Sequence, residues 1–392
     1  KGLHLWSMDN VPLILAAVIL LVSIPMGIEL LWGSRQLRFL ADTPPIRDYR
    51  LPQVSVVIPA RDESRHIRTA LGSVLAQDYP VLEIIAVNDR SRDATGTILK
   101  ELAARDPRLK VLEIEALPQG WLGKTHALET GARQARGSIL LFIDADVILE
   151  PSALSRGVAH LQRHNRDHIA VAPDVLMPTL WLTLVAATFG FNFSLLFRPW
   201  RAADPNSDRY VGIGAFNMMR TAAFWAAGGM TPIAMRPDDD VMLGKLLKRS
   251  GARQECLLGR ELVSVEWYAS TRELVRGLSK NSFAALDYSL IRVILASAAQ
   301  LLLYVWPFVG VLLSEGLARW LYLIIVIWLL GLFVDGARQM TRFRPWFGIG
   351  LPATTLLLMF ILWRSTLLAL KNGGIEWRGR RYPLDELRRN RL

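Results

Sequence analysis

Cysteine is almost missing from this sequence: Cys256 is the only one in 392 residues. A single thiol excludes an internal disulfide framework and a cysteine-based metal centre, and it fits a reducing compartment. Histidine is also scarce. His66, His126, His160, His164 and His168 show no metal-ligand spacing on one helix face, and they are expected at the surface. Acidic residues are outnumbered 35 to 46 by Lys and Arg, for a formal charge of +11. Those cations cluster beside apolar runs and no nucleic-acid recognition motif accompanies them. Placement at a membrane surface therefore accounts for them better, and nucleic acid is not an expected partner. The chain also lacks internal repeats, low-complexity segments and a small-residue cleavage site after its first apolar run.

Apolar residues, by contrast, make up 52% of the chain, and mean hydropathy is +0.26. These values are high for a soluble protein and low for a pure membrane bundle, so a mixture is expected. Residues 11–32, "VPLILAAVILLVSIPMGIELLW", reach the ~20 residues that cross ~30 Å of hydrocarbon. Arg35 and Arg38 follow, which puts the downstream side in the cytoplasm by the positive-inside rule. The expected organisation is an N-terminal anchor (1–40), a cytosolic catalytic domain (41–288), C-terminal transmembrane helices (289–372) and a basic tail (373–392). "VILASAAQLLLYVWPFVGVLL" and "WLYLIIVIWLLGLFV" read as a hairpin of two spans, and "GARQMTRFRPW" as a basic cytoplasmic loop. The 347–370 run carries Pro352 and Arg364. A full crossing there would put the tail outside while its charge favours the inside, so the run is re-entrant or interfacial, or the charge rule fails at this end. Within the globular part, 175–200 is apolar, aromatic and bordered by Arg198 and Arg201. It suits a helix lying in the membrane interface, or else a buried core helix.

The catalytic region alternates strand and helix patterns. "VSVVIPA" (54–60), "LEIIAVNDR" (82–90) and "SILLFIDAD" (138–146) are apolar runs, and "RHIRTALGSVLAQ", "DATGTILKELAARD" and "THALETGARQARG" are helical. Alternation of this kind predicts an α/β fold with a mostly parallel sheet buried on both faces. Ligands of such sheets sit outside the carboxyl ends of the strands. Polar residues gather at those ends: Arg61, Asp62 and Glu63; Asn88, Asp89 and Arg90; Asp144 and Asp146.

Two carboxylates spaced i, i+2 at a strand end cannot both be buried unpaired, because an isolated buried charge costs several kcal/mol. Oxygen-only ligation of a divalent cation, Mg²⁺ or Mn²⁺, is the expected compensation at Asp144 and Asp146. A second acidic cluster, "PDDDVMLGKLL" (237–247), opens an amphipathic helix. Asp238 and Asp239 suit the helix dipole. Asp240 sits deeper, as a carboxylate positioned to take a proton from an acceptor hydroxyl. Upstream, "VGIGAFNMMRTAAFWAAGGM" (211–230) is rich in glycine, as where backbone approaches a ligand closely.

The order "VSVVIPARDE", "IAVNDRSRDAT", "GKTHAL", "DAD", glycine-rich segment, "DDDVML" resembles the family-2 glycosyltransferases over residues 54–250. Those enzymes have the GT-A nucleotide-sugar fold. The resemblance implies a donor site with Ala60, Arg61, Glu63 and Asp89 around the nucleoside and Lys124 near the diphosphate. It further implies that Asp144 and Asp146 hold metal and donor phosphates, and that Asp240 is the general base. The membrane layout and the tail "IEWRGRRY" are similar to ceramide glucosyltransferases and to bacterial glycosyltransferases associated with hopanoids or carotenoids. By that likeness the expected partners are a nucleotide-sugar donor, a membrane lipid acceptor and the bilayer. The expected reaction is inverting transfer of glucose from UDP-glucose to a lipid hydroxyl such as that of ceramide, at a bacterial inner membrane.

One departure stands out. Family members often carry a Gln/Arg-x-x-Arg-Trp motif after the base, whereas "TRELVRGLSKNSF" (271–283) offers Arg272, Arg276 and Lys280 without a tryptophan. These cations can neutralise a departing diphosphate or coat an interfacial helix, and the two roles are compatible. The missing tryptophan counts against a processive polysaccharide synthase. Two rival readings are a polyprenyl-phosphate glycosyltransferase and a catalytically silent scaffold that binds nucleotide sugar.

Overall fold

A computed structural model describes residues 10–46, 51–336, 344–377 and 379–390. The chain divides into two compact units. The first comprises residues up to Gln36, Met177–Leu196 and Tyr268–Leu368; the second comprises Leu37–Leu176, Phe197–Trp267 and Ala369–Leu392. This division differs from the expected boundaries: residues 177–196 and 268–288 fall with the apolar helices, and the basic tail falls with the α/β strands.

The second unit is α/β and mixed, mostly parallel, as its alternating pattern predicts. Its main sheet has eight strands in the order Arg38–Phe39, Gln254–Leu258, His168–Ala172, Asn217–Arg220, Ile139–Phe142, Val54–Ala60, Leu82–Asp89 and Leu109–Ile114. All neighbours pair parallel except Asn217–Arg220, which runs antiparallel to both sides. The strands read as continuous apolar runs because both faces are covered. Val56, Ile58, Ile84, Ala86, Ile139 and Leu141 pack to one side, in one core with Leu71, Leu99, Leu154 and Val158. Val57, Ile85, Val87, Leu140 and Phe142 pack to the other, with Ala127, Leu128, Phe224, Leu243 and Leu247. Successive residues thus enter opposite cores, the period-two alternation of a strand. A small second sheet joins Val147–Leu149, Val263–Glu266 and Asp174–Leu176.

Two of the histidines expected at the surface are buried: His160 and His168 are each 0% exposed. His160 bridges Thr43 through Nδ1 and Glu255 through Nε2, with Arg166 donating to the same carboxylate at 2.8 Å. Satisfied polar partners allow such burial. Cys256 is buried in the adjacent strand.

The first unit is helical. Val11–Ser34, Leu290–Leu313 and Gly316–Gly336 are long and apolar enough to cross a membrane, as are Leu180–Ala203 and Trp346–Lys371. Leu290–Leu313 is interrupted by a π-turn over Leu301–Val305 ahead of Pro307. Val11–Ser34 and Gly316–Gly336 are tied by Ser34 and Arg35 to Asp335 and by Trp328 Nε1 to the Ser23 carbonyl. The helix Leu180–Phe197 meets Leu351–Lys371 through a 2.7 Å hydrogen bond between the Thr188 and Thr354 hydroxyls. Most of the expected basic loop after Gly336 lies outside the described residues, as does Arg378 in the tail.

Candidate active site

The carboxyl ends of the parallel strands hold the polar cluster. Ala60 pairs in register with Asn88, so the residues that follow them emerge side by side. Asp62 and Arg90 each adopt positive φ, at 54° and 57°, a left-handed conformation few side chains adopt without support. Support comes from cross-links between the two loops. The Asp62 amide donates to Ser91 Oγ at 3.1 Å, and the Arg92 amide to Asp62 Oδ1 at 2.7 Å. The Glu63 amide donates to Thr95 Oγ1 at 2.8 Å, and the Ser64 amide to Asp93 Oδ2 at 3.0 Å. This lattice turns Arg61 toward Asp89 at 3.6 Å, where Arg90 also lies 2.7 Å from the carboxylate. Gly123 closes the same corner: a Cβ there would come within 2.2 Å of Asp89 Oδ2.

Lys124 begins the helix Gly123–Gln134 beside that corner. Its ammonium stands 2.7 Å from Asp144 Oδ1 and 3.3 Å from Asp239 Oδ2. Burial works against the charge, but the carboxylates of Asp144, Asp239 and Asp240 outweigh it and raise the Lys124 pKa well above its usual value. Asp240 is held at both oxygens: Oδ2 accepts from the Gly214 amide at 2.8 Å and Oδ1 from the Val241 amide at 2.9 Å. Burial lifts the Asp240 pKa; Lys124 opposes the rise and Asp144 adds to it. Gly214 also accepts from the Asp144 amide, and a Cβ at this glycine would lie 2.5 Å from Asp144 Oδ2 and 3.4 Å from Asp240 Oδ2. A small pocket is lined by Lys124, Asp144, Gly214, Asn217, Asp239 and Asp240, among others.

Asp238 takes the N-cap position and Asp239 the first turn of the helix Asp239–Arg249, where negative charge suits the helix dipole. Asp238 makes no side-chain cap hydrogen bond. It takes a two-pronged ion pair from Arg236, a guanidinium only 1% exposed, at 2.8 and 2.7 Å. Such a bidentate pair fixes orientation as well as charge, and here it sets the entry to the helix Asp239–Arg249. Asp239 instead faces Lys124. The part played by Arg236 is missed by sequence reasoning; the signal available is a cation two residues before an acidic run.

The fit of a divalent cation can be judged from the carboxylates. Among the described residues no group of three or more His, Cys, Asp or Glu forms a ready protein cage. Mg²⁺ needs no such cage, because one or two carboxylates and the substrate's phosphates suffice. Burial raises the Asp146 pKa to about 7, and the charges of Asp144 and Glu63 add to the rise. A carboxylate under that strain beside Asp144 is what a cation relieves, so Asp144 and Asp146 fit a metal shared with a phosphate ligand.

The structure thus gathers Arg61 with Asp89, and Lys124 with Asp144 and Asp240, with Asp146 within electrostatic reach of Asp144 and Glu63. Arg272 and Arg276 stand on the amphipathic helix Thr271–Ser279, followed by Lys280, in the other compact unit.

The mixed, mostly parallel sheet with acidic residues at its carboxyl edge has the GT-A fold. The solved mannosyltransferase PcManGT from Pyrobaculum calidifontis, described in complex with GDP-Man and Mn²⁺, shares it: the TM-score is 0.54 at 17% identity, over 90% of this chain and 98% of that one. The family model for glycosyl transferase family 2 matches residues 55–227. The chain carries a family-2 glycosyltransferase domain. Among curated proteins, the probable glycosyltransferase YdaM of Bacillus subtilis is 39% identical over 106 residues, 26% of this chain and 25% of YdaM. The 4,4'-diaponeurosporenoate glycosyltransferase of Staphylococcus haemolyticus is 24% identical over 58% of this chain and 60% of its own length. The chain therefore spans only about a quarter of YdaM and less than two thirds of the second relative. Asp240 lies beyond the matched family segment.

Proposed function

We propose that this protein is an inverting, metal-assisted membrane glycosyltransferase that moves a sugar from a nucleoside-diphosphate donor to the hydroxyl of a membrane lipid. UDP-glucose is the proposed donor and ceramide or a related lipid the proposed acceptor. The observation that carries the reading is the meeting of Asp240, Asp144 and Lys124 in one pocket at the carboxyl edge of the sheet. A carboxylate whose pKa burial raises, held in place by two backbone amides, suits general-base work.

In this mechanism Asp240 accepts the proton of the acceptor hydroxyl as its oxygen attacks the anomeric carbon. The bond from that carbon to the donor phosphate breaks, and the nucleoside diphosphate leaves with the electron pair. Attack on the face opposite the leaving group inverts the anomeric centre. Lys124 supplies positive charge where the diphosphate departs, and Arg61 with Asp89 holds the nucleoside end. Asp144 and Asp146 would hold a Mg²⁺ or Mn²⁺, which would neutralise charge on the leaving diphosphate. We assign Arg272, Arg276 and Lys280 a supporting role toward the diphosphate or anionic lipid.

A lipid acceptor is supported by the five helices, among the described residues, that are long and apolar enough to cross a membrane. The staphylococcal relative, named for 4,4'-diaponeurosporenoate, adds to that support. We assign the α/β unit to the cytoplasmic side of the membrane, on the strength of Arg35 and Arg38 directly after the first apolar helix.

The test is transfer of labelled glucose from UDP-glucose by the full chain in detergent, with ceramide and with polyprenyl phosphate as rival acceptors, before and after EDTA. A labelled, β-linked product on the lipid alcohol, lost with EDTA and restored by Mg²⁺ or Mn²⁺, is expected. Product on polyprenyl phosphate alone would overturn the hydroxyl acceptor, and turnover indifferent to EDTA would overturn the metal.

A further inference from the structure

The end of the chain returns to the catalytic unit and meets both segments that frame Lys124. Gly374–Trp377 and Arg380–Pro383 form an antiparallel hairpin that sets Ile375 opposite Tyr382. Both side chains are buried, as the alternation of a two-faced hairpin requires. The short helix Leu384–Arg389 follows, anchored by Leu384 and Leu387. Beyond it, Asn390 Oδ1 accepts from the Met235 amide at 2.9 Å, and its Nδ2 donates to the Pro232 carbonyl at 3.0 Å. This 232–235 segment runs directly into Arg236 and the catalytic carboxylates. The neighbouring Ala234 carbonyl accepts from the Leu122 amide at 2.9 Å and from Thr125 Oγ1 at 2.6 Å. On the other flank Arg380 Nη1 donates to the Leu117 carbonyl, in the loop that leads to Gly123 and hence to Asp89.

Charge makes this contact informative. A nucleoside diphosphate brings at least two negative charges, yet the cations nearest the pocket already serve carboxylates. Arg61 and Arg90 share Asp89, and Lys124 shares Asp144 and Asp239. Arg380 differs. Its described partners are the weakly held Leu117 carbonyl at 3.4 Å and the Tyr382 ring, 5.7 Å from the guanidinium carbon. The side chain is exposed. An arginine resting on an aromatic face, with one long hydrogen bond to a carbonyl, retains further N–H donors for an anion. Tyr382 also feels the nucleoside corner: burial raises its pKa, Arg380, Arg90 and Arg61 pull it down, and Asp89 pushes it up.

We propose that the C-terminal hairpin Gly374–Pro383 forms a wall of the donor site, with Arg380 contacting the donor's diphosphate and Tyr382 acting as a positioning residue beneath it. The proposal rests on the nucleotide-sugar reading above and extends it to residues far from Lys124 in sequence. The apolar helices that intervene along the chain thereby precede a further part of the catalytic pocket.

The test measures UDP and GDP binding by calorimetry, and donor KM, on the full chain in detergent for wild type, Arg380→Gln and Arg380→Lys. Arg380 is exposed, so Arg380→Gln should fold; its melting temperature verifies this. The expected result is about a tenfold loss of nucleoside-diphosphate affinity and a matching rise in donor KM, a loss typical of one charge-assisted pair. Acceptor KM should stay unchanged, with partial recovery of nucleotide affinity in Arg380→Lys. Wild-type affinity in a folded Arg380→Gln would overturn the hairpin's role and leave the transferase reading standing. Failure of the wild type to bind either nucleotide would overturn both.

Discussion

The Lys124 ammonium stands 2.7 Å from the Asp144 carboxylate, bridging the strand-end aspartate expected to bind metal and the acidic run that carries the proposed base. One positive charge thus faces three carboxylates, since Asp239 and Asp240 also act on it. Lys124→Met should leave those carboxylates mutually repelling and remove the cation nearest the departing diphosphate. A fall in kcat of about 100- to 1000-fold is expected, the scale of losing one preorganised electrostatic contact. Steady-state kinetics checks it, and a variant retaining wild-type kcat would show that Lys124 is only a structural partner.

Gly214 offers a subtler test, because its backbone touches both Asp144 and Asp240. The Cβ of Gly214→Ala would lie 2.5 Å from Asp144 Oδ2, closer than such contacts occur, so the carboxylate has to move. Misplacing a reacting group by ~1 Å can cost about 100-fold in rate. Gly214→Ala should therefore lose at least about tenfold in kcat/KM while its melting temperature changes little. An inactive variant that also fails to fold would instead mark Gly214 as a packing residue.

How far these features are legible in the sequence differs from residue to residue. The parallel strands at 54–60, 82–89 and 139–142 are readable because burial on both faces demands unbroken apolar runs. Asp144, Asp146 and Asp240 are readable because carboxylates at the edge of such runs need compensation. Asn217–Arg220 is hidden: a four-residue strand inside a glycine-rich segment shows too little alternation to announce itself, and its antiparallel direction depends on tertiary pairing. Burial of His160 and His168 is hidden for a similar reason. Their partners, Glu255 and Asn217, are brought close only by the fold. The tail reads as a solvated basic run because cation content dominates its composition, while the few residues that dock it, Ile375, Tyr382, Leu384 and Leu387, are too sparse to form a periodic signal.

Acid should weaken the catalytic unit in a defined window. His168 is fully buried, its Nε2 hydrogen-bonded to Asn217 Oδ1. Burial lowers its pKa to about 4, although the Asn217 hydrogen bond opposes the shift. The unfolded chain protonates this imidazole near its ordinary value of about 6.5, before the folded chain does. Stability is thus fully present above about pH 6.5 and drains as pH falls toward 4, by ~3 kcal/mol in total at about 1.36 kcal/mol per pKa unit. Melting temperatures of the protein in detergent between about pH 7 and 4.5 should show the decline. His168→Gln, which keeps a donor for Asn217, should flatten it; an equal slope in both proteins would remove His168 as the cause.

The most direct test of the central claim is Asp240→Asn, assayed for sugar transfer and, separately, for nucleotide binding. The amide keeps the shape of the side chain but cannot take the acceptor's proton. Transfer should fall by about 100- to 10,000-fold, the range for loss of a general base, while UDP affinity stays at the wild-type level. Transfer at the wild-type rate in this variant would contradict the account.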